Sequence, residues 1–128
     1  MRLLLDTHTL LWWYAGDRRL SARARRAVGN ASNEVLVSAA SAWEIATKER
    51  LGKLDGVRVL VSDLADWLAK ENFSQLSIKL DHALRAARLP GPLRDPFDRM
   101  LIAQASAEEL LLVSNEAIFD EYDVRRYW

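Results

Sequence analysis

Three consecutive leucines, Leu3-Leu4-Leu5, run straight into an acid, Asp6. An apolar run with no polar alternation reads as a short strand buried on both faces, as in the middle of a parallel sheet. Leu10, Leu11 and Tyr14 follow at helical spacing, so the unit is strand, acidic turn, helix. Open α/β sheets bind their ligands at the carboxyl ends of the strands, where Asp6 falls. The fold therefore turns on whether further carboxylates reach the same edge.

The pattern repeats along the chain. Glu34–Val37, Phe73–Ile78, Leu110–Val113 and Val124–Tyr127 read as strands. Between them, Ser21 caps a helix running to about Val28, and a second helix runs from about Ala39 to Leu51 with Ala39, Ala42, Trp43 and Ala46 on its apolar stripe. Ser41, Glu44 and Lys48 occupy a different face of that helix. Val57 to Leu68 reads as one amphipathic helix, and Leu80, Ala83, Leu84 and Ala87 mark another, leaving His82 off the stripe and exposed. Asp95 followed by Pro96 is a helix start, and Ala117 to Tyr122 a short helical turn. Strands alternating with helices imply an α/β fold: a parallel sheet, helices on both faces, right-handed crossovers. No repeat, low-complexity segment or linker divides residues 1–128, which read as one domain.

Composition narrows the chemistry. There is no cysteine and there are only two histidines, far apart, which removes disulfides and thiolate sites and leaves little for zinc. Any metal must be a hard one held by oxygen. Eighteen basic and eighteen acidic side chains cancel, so overall charge names no partner. Arg18, Arg19, Arg23, Arg25 and Arg26 are nonetheless crowded together, with Arg19, Arg23 and Arg26 on one helix face, either as solvated surface or as a rim for phosphates. No apolar run approaches the roughly 20 residues of a membrane span. Asp6 and His8 interrupt the only stretch resembling a signal peptide, so the expected location is cytoplasmic.

In a right-handed crossover the helix runs back against the strands, and its first turns lie at the carboxyl edge of the sheet. Asp6 ends the first strand, Glu116 follows the fourth, and Glu44 and Asp98 stand in early turns of their helices. All four are expected at one edge. Each has a structural alternative: Asp6 as a cap, Asp95 and Asp98 as cap and dipole partner, Ser41-x-x-Glu44 as a capping box. Jointly the caps explain less. Carboxylates about 5 Å apart repel by roughly 3 kcal/mol per pair at an effective dielectric near 20. Bound Mg²⁺ or Mn²⁺ removes that cost and can support in-line displacement at phosphorus. Ser114, at the mouth of the fourth strand, is placed to orient water or a ligand, or simply ends the strand.

Four blocks stand in the order and approximate spacing of PIN-domain ribonucleases. They are Leu4-Leu5-Asp6-Thr7-His8, Ser38-Ala39-Ala40-Ser41-Ala42-Trp43-Glu44-Ile45, Asp95-Pro96-Phe97-Asp98-Arg99 with Ile102-Ala103-Gln104-Ala105, and Leu112-Val113-Ser114-Asn115-Glu116. The chain resembles most the VapC-type toxins of bacterial type II toxin–antitoxin pairs. That resemblance implies a three-layer α/β/α sandwich with a short, mainly parallel sheet in the order 3-2-1-4-5. It implies metal ligands at Asp6, Glu44 and Asp98, a further one at Glu116 where the family usually has Asp, and assistance from Asp95. Mg²⁺- or Mn²⁺-dependent cleavage of RNA, dimerisation and inhibition by an antitoxin protein come with it. The Val57–Leu68 helix and Trp12-Trp13 offer either a groove for an antitoxin segment or ordinary core.

Two rivals share the fold class. A haloacid-dehalogenase-like phosphatase also ends a strand in Asp but wants a second Asp two residues on, where this chain has His8. A receiver-type signalling module wants an acceptor Asp after a middle strand, and here the second strand ends in Ser38. Neither G-x-G-x-x-G nor G-K-[ST] occurs.

Overall fold

The computed structural model describes residues 1–128. Five strands, β1 (Arg2–Leu5), β2 (Glu34–Ser38), β3 (Ser74–Leu76), β4 (Leu111–Val113) and β5 (Arg125–Tyr127), form one sheet in the order β3-β2-β1-β4-β5. Every pairing is parallel. Strand order reverses at β1, which lies between β2 and β4 with Leu3 opposite Val35 and Leu111.

Alternation along the central strands divides the interior in two. Leu3, Leu5, Val35 and Val37 point into one core, with Leu10, Ala24, Ile45 and Leu68. Leu4, Leu36 and Leu112 point into the other, with Leu101, Ile102 and Phe119. The first core is covered by α1 (Thr7–Ala15), α2 (Ala22–Gly29) and the segment around Leu68; the second by α7 (Pro96–Ala107), against which α6 (Leu80–Arg88) packs. The expected three-layer α/β/α sandwich and its strand order are both found.

Local signals set several boundaries where expected. Gly16 ends α1 at φ 64°, a left-handed conformation that glycine adopts without strain. Ser21 Oγ accepts the Ala24 N–H at the start of α2, and Asp95 Oδ1 accepts the N–H groups of Phe97 and Asp98 at the start of α7. The helix α3 (Ala39–Arg50) is capped by Ser38, whose Oγ accepts the Ala40 N–H; Ser41 and Glu44 form no capping box.

Elsewhere the structure corrects the reading. The single helix expected from Val57 to Leu68 is two, α4 (Arg58–Ser62) and α5 (Leu64–Lys70), broken at Asp63. The hydroxyl of Ser62 donates to the Arg58 carbonyl one turn back, a contact that bends helices, and Ser and Asp are both poor interior residues. In α6 the inside and outside are exchanged. Leu80 and Leu84 are exposed, whereas His82 and Ala86 are buried. His82 tolerates burial because its Nδ1 accepts the Lys79 N–H and its Nε2 donates to Glu108 Oε1, 2.9 Å away. The His82 bond, and then one from Lys79 Nζ, hold the Glu108 carboxyl below its ordinary value. Trp43, expected on the apolar stripe, is 62% exposed and meets Phe97 edge to face. Trp12 is buried and Trp13 packs on Phe73, so core packing accounts for this pair. The turn after β4 is a 3₁₀ helix, Ala117–Glu121. No helix is long and apolar enough to cross a membrane.

Candidate metal centre

Asp6 leaves β1 at the switch point of the sheet, its N–H donating to the Val113 carbonyl of β4. Its side chain makes no capping bond to α1. Instead Asp6 Oδ2 accepts a 2.7 Å hydrogen bond from Ser114 Oγ, the first residue after β4. Ser114 Oγ in turn accepts the N–H of Glu116. One buried hydroxyl thus ties together the two strand ends that flank the crevice. Thr7 donates to Ser41 Oγ and Thr9 to the Val113 carbonyl, anchoring α1 to α3 and to β4.

Glu44 points inward from the second turn of α3 and is 4% exposed. Its Oε2 accepts from Lys48 Nζ at 2.6 Å, while its Oε1 is buried with no hydrogen-bond partner. A buried carboxylate oxygen without a partner is costly unless something positive approaches it. Asp98 lies in the first turn of α7, half-buried, with its side chain free of the capping role that Asp95 performs. Burial, and then the negative fields of Asp6, Asp95, Glu44 and Glu116, push the Asp98 carboxyl up to about 7. Burial also raises Asp6, opposed chiefly by the Ser114 hydroxyl, with Glu44 adding to the rise.

The crossovers therefore bring Asp6, Glu44, Asp95 and Glu116 into electrostatic range of Asp98, with Ser114 hydrogen-bonded to Asp6. Asp6 and Glu44 are inside, Asp95 and Asp98 part-buried, and Glu116 lies at the exposed rim. No three acids or histidines are grouped so as to close around one ion in this arrangement. What suits a hard cation is the donor set itself: carboxylate oxygens only, one of them buried and unpartnered, in a cluster whose members repel. His8 is exposed and stacks on Trp12, and its field opposes the rise at Asp6.

Lys48, on the same helix face as Glu44, joins this cluster through the i, i+4 spacing that brings opposite charges together on a helix. The arginine rim is also partly engaged. Arg19 is paired with Asp17 and lies over Trp12, and Arg23 lies over Tyr127.

The PIN-domain family model matches residues 3–125. Ribonuclease VapC22 of Mycobacterium tuberculosis (strain ATCC 25618 / H37Rv) is 32% identical over 117 residues, covering 89% of this chain and 86% of that protein. Ribonuclease VapC16 of the same strain is 44% identical over 64 residues, half of this chain and 44% of that protein. Among solved structures, VapBC2 from Rickettsia felis bound to a promoter DNA fragment superposes with a TM-score of 0.71 at 15% identity, over 99% of this chain and 98% of that one. DNA-bound VapBC from Salmonella typhimurium gives 0.70 at 20% identity, over 99% and 97%. With the strand order, the four sequence blocks and the family match over nearly its whole length in agreement, the chain belongs to the PIN-domain family and, within it, to the VapC group.

Proposed function

We propose that residues 1–128 form a metal-dependent endoribonuclease domain, the toxin of a type II toxin–antitoxin pair. The observation that carries this reading is the cluster of Asp6, Glu44, Asp98 and Glu116 at the switch point, with one Glu44 oxygen buried and unpartnered. Relatives named as VapC ribonucleases supply the substrate class. Asp6, Glu44, Asp98 and Glu116 would hold Mg²⁺ or Mn²⁺. Such an ion, when bound, activates water and neutralises charge building on the phosphoryl oxygens during in-line displacement.

The chain's own residues do the positioning. Ser114 holds the Asp6 carboxylate by a hydrogen bond, and Asp95 caps the first turn of α7, leaving the Asp98 carboxyl free of that role and within the field of Asp6. Glu44 is held by its burial and by the bond from Lys48. No side chain here is required as a nucleophile.

The partners follow from the same group. Solved VapBC complexes support an antitoxin protein as the partner, in a toxin–antitoxin hetero-oligomer. A homodimer is supported by the exposed apolar side chains Trp43, Ile78, Leu80 and Leu84. The proposed location is the cytoplasm, with no membrane partner.

The test is cleavage of a fluorogenic single-stranded RNA by purified protein with Mg²⁺, with Mn²⁺ and with EDTA, beside Asp6→Asn. Ion-dependent cleavage that is lost in Asp6→Asn supports the proposal. Cleavage that persists in EDTA or in the variant refutes it, and an acyl-phosphate on Asp6 points to a phosphatase or receiver.

A further inference from the structure

The acid cluster holds one cation of its own. Lys48 Nζ lies 2.6 Å from Glu44 Oε2, and its field reaches Asp95 and Asp98 as well. Other nearby bases are committed elsewhere: Arg99 donates to the carbonyls of Ala86, Leu89 and Leu93, and Arg126 to Asp120 and the Ser114 carbonyl. The two members of the pair differ in freedom. The Glu44 side chain is 5% exposed and fixed in the interior, whereas that of Lys48 is 36% exposed on a flexible four-carbon stem. A single ammonium offsets only one of several clustered acids, and it leaves Glu44 Oε1 bare.

We propose that Lys48 is the resident counter-ion of the ion-free cleft, a positioning residue that competes with the divalent cation for Glu44 and swings toward solvent when that cation arrives. This rests on the metal-binding reading above. A dication arriving at the bare Glu44 Oε1 would share one carboxylate with the ammonium held at 2.6 Å on Oε2, and the two positive charges would repel across it. The opposite assignment, a lysine that aims Glu44 at the metal, predicts the opposite sign.

The experiment is titration calorimetry of Mn²⁺ and of Mg²⁺ into metal-free wild type, Lys48→Met and Lys48→Arg at low salt. Removing a like charge from beside the incoming ion tightens Kd in Lys48→Met by about tenfold or more, with Lys48→Arg near wild type. A Kd that is unchanged or weaker in Lys48→Met overturns the proposal. Reductive methylation of wild type, read by mass spectrometry, needs no variant: Lys48 becomes faster to modify when Mg²⁺ is added, while Lys53, Lys70 and Lys79 do not change. Unchanged or slower modification at Lys48 overturns it equally. If wild type binds and Lys48→Met binds no tighter, only the competition fails. If neither binds either ion, the metal-dependent reading fails with it.

Discussion

Asp98→Asn should make the metal-free protein more stable, and only at high pH. In the fold the carboxyl is raised from the ordinary 3.8 to about 7 by burial and by Asp6, Asp95, Glu44 and Glu116. That climb corresponds to roughly 4 kcal/mol between protonation states, which solvent screening of a part-exposed group reduces to about 1–2 kcal/mol. The sign follows from proton binding. Below about pH 4 the group is protonated folded and unfolded, and nothing is lost. Between about 4 and 7 the folded protein keeps the proton that the unfolded chain gives up, so the contribution to stability declines as pH rises through 7. Above 7 both are ionised and the full repulsion remains. Thermal unfolding in EDTA should therefore show Asp98→Asn melting about 3–6 °C above wild type at pH 8.5 and level with it at pH 4.5. Added Mn²⁺ should reverse the order at pH 8.5 by stabilising wild type alone. Equal differences at the two pH values, or a variant less stable at pH 8.5, would refute the claim that the acids strain one another.

Three further outcomes separate site from scaffold. Ser114→Ala removes the hydroxyl that orients Asp6 and is expected to lower kcat for RNA cleavage about tenfold to a hundredfold with KM little changed, a split read from steady-state kinetics. Asp95→Ala removes the α7 cap and should cost about 1 kcal/mol in urea unfolding. Leu101→Ala, at a fully buried position packed on the sheet, should cost about 2–5 kcal/mol by the same measurement and leave divalent-ion affinity unchanged in the folded fraction.

How much could be read from residues alone depended on what kind of force set each feature. The strand at Leu3–Leu5 and its place in the middle of the sheet were legible because a central parallel strand is buried on both sides and tolerates only apolar residues. Asp6, Glu44, Asp98 and Glu116 could be placed at one edge because crossover handedness fixes where strand ends and helix starts lie. The face of α6 was not legible, because apolar periodicity weighs only hydrophobicity. His82 is inside through two hydrogen bonds, one to a glutamate 26 residues away, and Leu80 and Leu84 are left outside. Trp43 was misplaced for a related reason: its neighbour, Phe97, comes from α7, far along the chain. The break at Asp63 falls beside Ser62, whose hydroxyl bonds back to Arg58, and at two residues poor in helix interiors, which a pattern of Val and Leu spacings does not register. Lys48 carried a visible i, i+4 signal, but only the burial of Glu44 turns an ordinary surface pair into part of the cleft.

The central claim is that Asp6, Glu44 and Asp98 hold a hard divalent cation between them. A crystal of the protein soaked in Mn²⁺ and measured for anomalous scattering tests it most directly. The predicted map has its strongest peak within coordination distance of carboxylate oxygens of Asp6, Asp98 and Glu44, with Lys48 Nζ withdrawn from Glu44 Oε2. A map with no peak there, or with manganese confined to exposed acids elsewhere, would contradict the account.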